Sequence, residues 1–381
     1  MIDASMWFTK FQERFDWLLL SSLFLLFSMG MLALYSFSET AAGNVYFGKQ
    51  LFFAVLGLLV MLFVAALDYR HLARLSTLLY FITLAVLGLV LFIGEPVRGT
   101  VGWISLGGFQ VQPVEFAKLT LIVFLASFIS KKSTELGEWT RLIASLFLVA
   151  VMIFLVLKQP DLGSSLVLLF IWGSMILVSG IRFKHFVVLG CLGLVLLAGS
   201  WTMLADYQKA RIQTFLNPEL DPRGSGYNVL QSMVAVGSGG LTGKGIGHGS
   251  QSQLNFLPEK HTDFIFAVLA DELGYIGGGV VIFLYALFLF RIERAAQRAR
   301  DNTGYLIAVG IFSFFFIQIV VNLGMNMGLL PVTGLPAPFL SYGGSSLLAS
   351  CIAVGLILSI FRLRRDRSDQ LMSLDRPGLQ F

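Results

Sequence analysis

The sequence predicts an all-α, polytopic integral membrane protein of ten transmembrane helices, with a long ordered external loop between the seventh and the eighth. Three observations carry this reading. The 381 residues are 56% hydrophobic and only 13% charged, against roughly 25% charge in an ordinary soluble domain, and the mean hydropathy is +0.80. The apolar residues fall in repeated blocks of about 20, the length a helix needs to cross roughly 30 Å of hydrocarbon. Lys and Arg gather on one set of block ends, as basic connections do on the cytoplasmic side. A water-soluble enzyme is excluded. The 39 Gly fit the reading, because membrane helices accept Gly more readily than soluble ones.

The first span is Trp17 to Phe37. The charged residues before it, Asp3, Lys10, Glu13, Arg14 and Asp16, do not lead into a short apolar core with a small-residue cleavage site, so it reads as a retained helix rather than a signal peptide. Leu51 to Leu67 and Leu72 to Ile93 follow, and Pro113 to Ile129 is the fourth span although Glu115 and Lys118 interrupt it. Leu142 to Leu157, Leu162 to Ile181, Phe186 to Leu204, Asp263 to Phe290, Tyr305 to Leu330 and Ser341 to Phe361 complete the set. The fourth span is required by charge. Without it every later connection would invert, and the clusters Arg291 to Arg300 and Arg362 to Arg367 would lie outside. Of the 27 Lys and Arg, only Lys49, Arg98 and Lys158 stand in short loops of the opposite set. Both termini are therefore expected in the cytoplasm, and the basic tail, 363–381, reads as an anchor beside anionic lipid rather than as a nucleic-acid site.

The whole chain, 1–381, reads as a single membrane domain. Its longest connection, 206–262, is too apolar to be disordered, with Phe215, Tyr227, Val229, Leu230, Met233, Val234 and Phe256 needing burial; loops of this length are usually functional. Tyr227, Leu230, Met233 and Val234 suggest a short amphipathic helix on the membrane interface, followed by a Gly-rich turn region, Gly237 to Gly249. Cys191 and Cys351 both lie in apolar runs and read as small buried hydrophobes. The four His, at 71, 185, 248 and 261, lack metal-ligand spacing. Gly243-Lys244-Gly245 lacks the remaining residues of a phosphate loop. Leu330-Pro331-Val332-Thr333-Gly334 links two spans and is not a sorting signal.

Ionisable groups inside a bilayer are expensive and mark function by default. Glu115 and Lys118, three residues apart, share one helix face and can pair; the pair either locks helices together or holds a charged site in shape. Asp161, after Pro160, suits a helix N-terminus. Asp263, preceded by Lys260 and Thr262, is either a helix cap or a general base beside an apolar wall. Below it Ala267, Ala270 and Gly274 form a small-residue stripe, for close helix packing or as the floor of a lipid groove. Asp271 and Glu272 lie deeper and need partners. A transporter and a lipid-substrate transferase both explain such charges. The apolar middles of most spans favour the transferase, whose charges belong at the head-group level.

Several motifs resemble the SEDS family (shape, elongation, division and sporulation). They include Trp103 to Gly107 running into Gln112 to Lys118, Lys158 to Gly163, Asn217-Pro218-Glu219, Asp221-Pro222, Gly226-Tyr227, Leu257 to Phe266 and Pro338 to Ser345. The similarity covers essentially the whole chain. Gly237 to Gly245 and Gln251 to Leu254 look more like the elongation members than the division members. The resemblance implies a peptidoglycan glycosyltransferase that polymerises lipid II outside the cytoplasmic membrane and releases undecaprenyl diphosphate. It implies Asp263 as the catalytic carboxylate and Glu115 and Lys118 as the supporting pair. Lys49, Arg98, Asp161, Arg211, Lys244 and Lys260 are candidates for substrate or diphosphate binding. A divalent cation, Mg or Mn, could bridge Asp263 and the diphosphate, and no organic cofactor is expected. The partners implied are a class B penicillin-binding protein and other membrane proteins of the elongation complex. The alternatives are a lipid II flippase and a non-catalytic scaffold. Val114 stands where the family usually has Ser, and Gly102 where Arg often precedes the Trp.

Overall fold

The computed structural model describes residues 16–37, 41–97, 100–107, 109–132, 138–180, 225–253, 256–257 and 259–364, with a few single positions between 181 and 224. Its helices are α1 (Trp17–Ser36), α2 (Ala41–Ala66), α3 (Tyr69–Ile93), α4 (Pro113–Lys132), α5 (Glu138–Lys158), α6 (Leu162–Val178), α7 (Ser225–Ser238), α8 (Ser250–Gln253), α9 (Ile265–Gln297), α10 (Asn302–Asn326) and α11 (Gly344–Arg362). Eight of them are long and apolar enough to cross a membrane, and α6 is a shorter apolar helix. These nine match nine of the ten expected spans. The seventh, Phe186 to Leu204, lies outside the described residues, as do Cys191, Arg98, Arg211 and most of the basic tail.

Helix ends are held by the chain itself. Asp16 caps α1, its Oδ1 accepting from the Leu19 amide at 3.1 Å, and pairs with Arg291 of α9, Nη2 to Oδ2 at 2.7 Å. The last carbonyls of α2 accept from α11: Ser359 Oγ donates to Leu67 O at 2.6 Å and Arg362 Nη2 to Ala66 O at 2.8 Å. Such partners are needed because a helix leaves its terminal carbonyls without intrahelical bonds. Small residues let α2 and α11 approach closely. A Cβ on Gly57 would stand 2.8 Å from Cys351 Sγ, and one on Gly355 would stand 2.7 Å from Met61 O, the packing expected where no hydrophobic force drives helices together. Cys351 is buried there.

One feature departs from the sequence reading. Between α3 and α4 the chain folds into an antiparallel meander, β1 (Glu95–Val97), β2 (Thr100–Leu106) and β3 (Phe109–Val111), with Ser105 opposite Gln110. It rests on the α5–α6 turn, where the Val101 amide donates to Gln159 O at 3.2 Å. Helix α7 lies where the sequence predicts the short amphipathic helix; its buried positions are Gly226, Val229, Ser232 and Ala235, while Tyr227, Leu230 and Met233 are half-buried and Val234 is exposed. Small residues bring the end of α7 against α9, where a Cβ on Gly239 would meet the Ala270 carbonyl. The small-residue stripe of α9 is thus packed against the chain's own loop.

Helix α9 is interrupted at Gly274 (φ 68°, ψ −166°), and the Gly-rich loop fills the interruption. The Lys244 and Gly245 amides donate to Asp271 O (3.1 Å) and Glu272 O (3.0 Å), and the Tyr275 and Ile276 amides donate to Gly240 O (2.8 Å) and Leu241 O (3.2 Å). A Cβ on Gly274 would lie 2.5 Å from Leu241 O, and its backbone region is essentially open to Gly alone, at a strain of about 1–3 kcal/mol for other residues. Gly274→Ala is therefore expected to lower the thermal unfolding temperature of the purified protein, whereas Gly279→Ala, where added volume meets nothing within 4 Å, should leave it nearly unchanged.

Candidate active site

One end of the helix bundle collects the starts of α2, α4, α6, α9 and α11, the end of α10, and the β-meander. The other end carries the Asp16–Arg291 and Asp68–Arg70 pairs. At the first end Asp263 stands just before α9, partly exposed. Its backbone carbonyl accepts two side-chain amides from α10, Asn326 Nδ2 at 2.9 Å and Asn322 Nδ2 at 3.1 Å. Asn326 Oδ1 in turn accepts from the Ala267 amide at 3.1 Å, meeting one of the otherwise unpartnered amides of the first turn of α9. Asn322 also donates to Leu335 O at 2.8 Å, so the same side chain ties the α10–α11 connection to the Asp263 segment. On that connection Gly334 faces the carboxylate: a Cβ there would lie 3.9 Å from Asp263 Oδ2.

The residues before Asp263 are fixed as firmly. Ser341 Oγ donates to Thr262 O at 2.6 Å, and the Tyr342 amide donates to His261 O at 2.9 Å. The His261 ring stacks on Tyr46 of α2, centroids 4.3 Å apart. Gln50 of α2 holds the far side of the same connection, donating to Ser341 O and accepting from the Gly343 amide, both at 3.2 Å. Lys260 Nζ lies 4.7 Å from the Phe37 ring centroid. Burial pushes its ammonium below the usual lysine range, with Glu272 opposing the shift.

Glu115 and Lys118 pair as their spacing implies, Nζ to Oε1 at 2.8 Å, with the lysine side chain 0% and the glutamate 3% exposed. The pair is enclosed in the bundle, with Phe314 of α10 beside Lys118. Asp161 caps α6 by accepting from the Ser164 amide at 2.9 Å, and Gln112 Nε2 stands 3.5 Å from its other oxygen. Lys49 lies on α2, next to Gln50. Gly102 packs against the Gln159 amide, 3.2 Å from where a Cβ would sit. The deep acid Asp271 finds a partner that spacing could not name: Lys244 Nζ donates to its Oδ1 at 2.6 Å and to Ser238 Oγ and Ser250 Oγ, each at 2.7 Å. An ammonium has three donors, and all three of Lys244 are engaged here. The Gln251 amide donates to Asp271 Oδ2 at 3.1 Å.

The sequence reading missed Gln50, Asn322, Asn326 and Ser341. A usable signal was present in Asn322 and Asn326, two amides at i and i+4 on one face of an apolar helix, but a search confined to ionisable groups passes over them. As a site, the geometry offers a carboxylate on a rigid segment at the mouth of a helix, with its backbone fixed from two neighbouring elements, as a general base needs. Among the described residues no three His, Cys, Asp or Glu side chains gather to hold a metal ion.

Comparison with known proteins agrees with this architecture. A family model described as cell cycle protein, FtsW/RodA/SpoVE, matches residues 15–366. The chain is 42% identical over 359 residues to stage V sporulation protein E of Bacillus subtilis, covering 92% of this chain and 98% of that one. It is 39% identical over 311 residues to peptidoglycan glycosyltransferase MrdB of Escherichia coli K12, covering 81% and 84%. Among solved structures, a chain from a peptidoglycan synthase complex described as coordinating polymerisation and crosslinking superposes with a TM-score of 0.77 at 32% identity, covering 91% of this chain and 98% of that chain.

The Lys244–Asp271 pair yields a stability test. Lys244→Met leaves the Asp271 carboxylate buried without its cation and should destabilise the protein by about 3 kcal/mol. The double variant Lys244→Met/Asp271→Asn should recover part of that loss in thermal unfolding, and strict additivity would show that the two side chains do not act together.

Proposed function

The chain belongs to the FtsW/RodA/SpoVE family of multi-pass membrane proteins, members of which are named peptidoglycan glycosyltransferases, and on that premise we propose that it polymerises lipid II into glycan strands with Asp263 as the general base. The observation that supports this most directly is the clamp of Asn322 and Asn326 on the backbone carbonyl of Asp263, which fixes the segment that carries a carboxylate at the start of α9. The 4-hydroxyl of one lipid II sugar attacks the anomeric carbon of the growing chain, Asp263 takes the hydroxyl proton, and undecaprenyl diphosphate leaves with the bonding pair. Interactions aimed at the departing charge lower the barrier, and Lys49, Lys260, Arg98 and Arg211 are the cations we assign to that task. Lys244 serves instead to hold the Gly-rich loop. The Glu115–Lys118 pair supports the site from within the bundle, and Asp161 orders the start of α6 beside Gln112. Among the described residues no three His, Cys, Asp or Glu side chains gather to hold a metal ion; an Mg or Mn ion would arrive with the diphosphate and help neutralise its charge.

We place this activity at the outer face of the bacterial cytoplasmic membrane, with both termini inside, and in cell elongation, on the strength of the Gly237 to Gly245 and Gln251 to Leu254 motifs. A class B penicillin-binding protein is the transpeptidase partner we expect, beside other membrane proteins of the elongation complex. The rival readings are a lipid II flippase, which moves the lipid without making polymer, and a scaffold, which does neither.

One liposome assay of the purified protein with its partner, following polymer and transbilayer lipid II separately, distinguishes the three. Asp263→Ala is expected to abolish polymer at unchanged thermal stability, and full activity of that variant would sink the base assignment. In the same assay Glu115→Gln should impair polymerisation, with partial recovery in Glu115→Lys/Lys118→Glu; indifference to both changes would leave the pair a purely structural lock.

A further inference from the structure

Two buried polar side chains, Gln318 of α10 and Glu115 of α4, carry atoms without a hydrogen-bond partner among the described residues. Gln318 is fully buried, at 0% exposure, yet neither its Nε2 nor its Oε1 has a hydrogen-bond partner among the described residues. Glu115 Oε2 is in the same condition, while Oε1 of the same carboxylate accepts from Lys118. The two helices run antiparallel in a register that can be read directly. A Cβ on Gly310 would stand 2.6 Å from Ile122 Cγ2, and Lys118 Nζ lies 5.9 Å from the Phe314 ring centroid. A step of about one turn forward on α10 thus matches one turn back on α4, and the next such step sets Gln318 level with Val114 and Glu115. Beyond Gln318 at the same spacing come Asn322 and Asn326, both donating to Asp263 O. The stripe runs from the buried ion pair to the carboxylate assigned as base.

Polar groups sealed in a protein interior almost always meet a protein partner or an ordered water. One water can donate to Glu115 Oε2 and to Gln318 Oε1 while accepting from Gln318 Nε2. A cation suits the place less well, since Lys118 already neutralises Glu115 and a cation would leave the Gln318 amide donors unmet. We propose that Gln318 and Glu115 Oε2 share an internal water between α4 and α10, and that Gln318 is thereby a positioning residue that keeps the Glu115–Lys118 pair aligned with the Asn322–Asn326 clamp. The catalytic consequence rests on the Asp263 reading; the water site itself does not.

The test compares Gln318→Met with Gln318→Asn in the purified full-length protein with its partner, reading both the thermal unfolding temperature and lipid II polymerisation. An amide without partners is relieved by Met, which has a similar length and no polar group, so the unfolding temperature would rise. A water-held amide predicts the opposite sign. Gln318→Met then lowers the unfolding temperature by several degrees and slows polymerisation about tenfold or more, whereas Gln318→Asn, which keeps an amide, recovers most of both. An unfolding temperature unchanged or raised by Gln318→Met overturns the water site, and a rate that Asn does not recover overturns the positioning role. If Gln318→Met does not fold, a high-resolution map of the wild-type complex decides: water density between Gln318 and Glu115 supports the site, and direct side-chain contact overturns it. Asp263→Asn, run alongside, tests the base separately. If it polymerises normally while Gln318→Met unfolds early, the base assignment fails and the water site stands.

Discussion

Everything at the working end of this protein follows from one constraint: in hydrocarbon, a backbone N–H or C=O without a partner costs several kcal/mol, so non-helical chain is tolerated only where other protein groups meet it. Helix α9 violates helical continuity at Gly274 and begins abruptly after Asp263. The chain answers each break with its own atoms. The Gly-rich loop supplies amides and carbonyls on both sides of Gly274, and Asn322 and Asn326 supply side-chain amides at the start. The second of these answers also fixes the backbone that carries the carboxylate of the proposed reaction. On the proposed function, structural satisfaction and catalytic positioning are the same hydrogen bonds.

That economy explains why charged and uncharged polar residues divide the labour. The charged side chains within or beside the spans mostly form closed pairs: Glu115 with Lys118, Asp271 with Lys244, Asp16 with Arg291. Breaking such a buried pair is far more damaging than never having it, which makes each a lock. The amides and hydroxyls do the connecting. Gln50 joins α2 to the α10–α11 connection, Ser341 joins that connection to Thr262, and Tyr285 Oη of α9 donates to Pro338 O at 2.7 Å, so α2, α9 and the segment before α9 all converge on the α10–α11 connection.

Much of this was legible beforehand. The spans followed from hydropathy and from the side on which Arg and Lys fall. Glu115 and Lys118 were found because an i, i+3 spacing forces them onto one face, and Asp263 because an acid at a membrane boundary is conspicuous. What stayed hidden depends on tertiary choice. Nothing local to Asp271 says that Lys244 will reach it, since the contact needs the loop to enter the break at Gly274. The β-meander from Glu95 to Val111 is short and flanked by long apolar helices, so its alternation carries little weight alone.

The two ion pairs at opposite ends of α9 also differ in how far apart their partners lie along the chain. Lys244 and Asp271 are 27 residues apart, so they leave the ribosome almost together, and the deep acid can be escorted into the bilayer by a cation made moments earlier. Asp16 and Arg291 are 275 residues apart, and α2 must likewise wait for α11. Biogenesis therefore has a built-in order: the Gly-rich loop and the start of α9 can join as a local unit, while the opening helices idle in the lipid until α9 and α11 arrive to close the bundle.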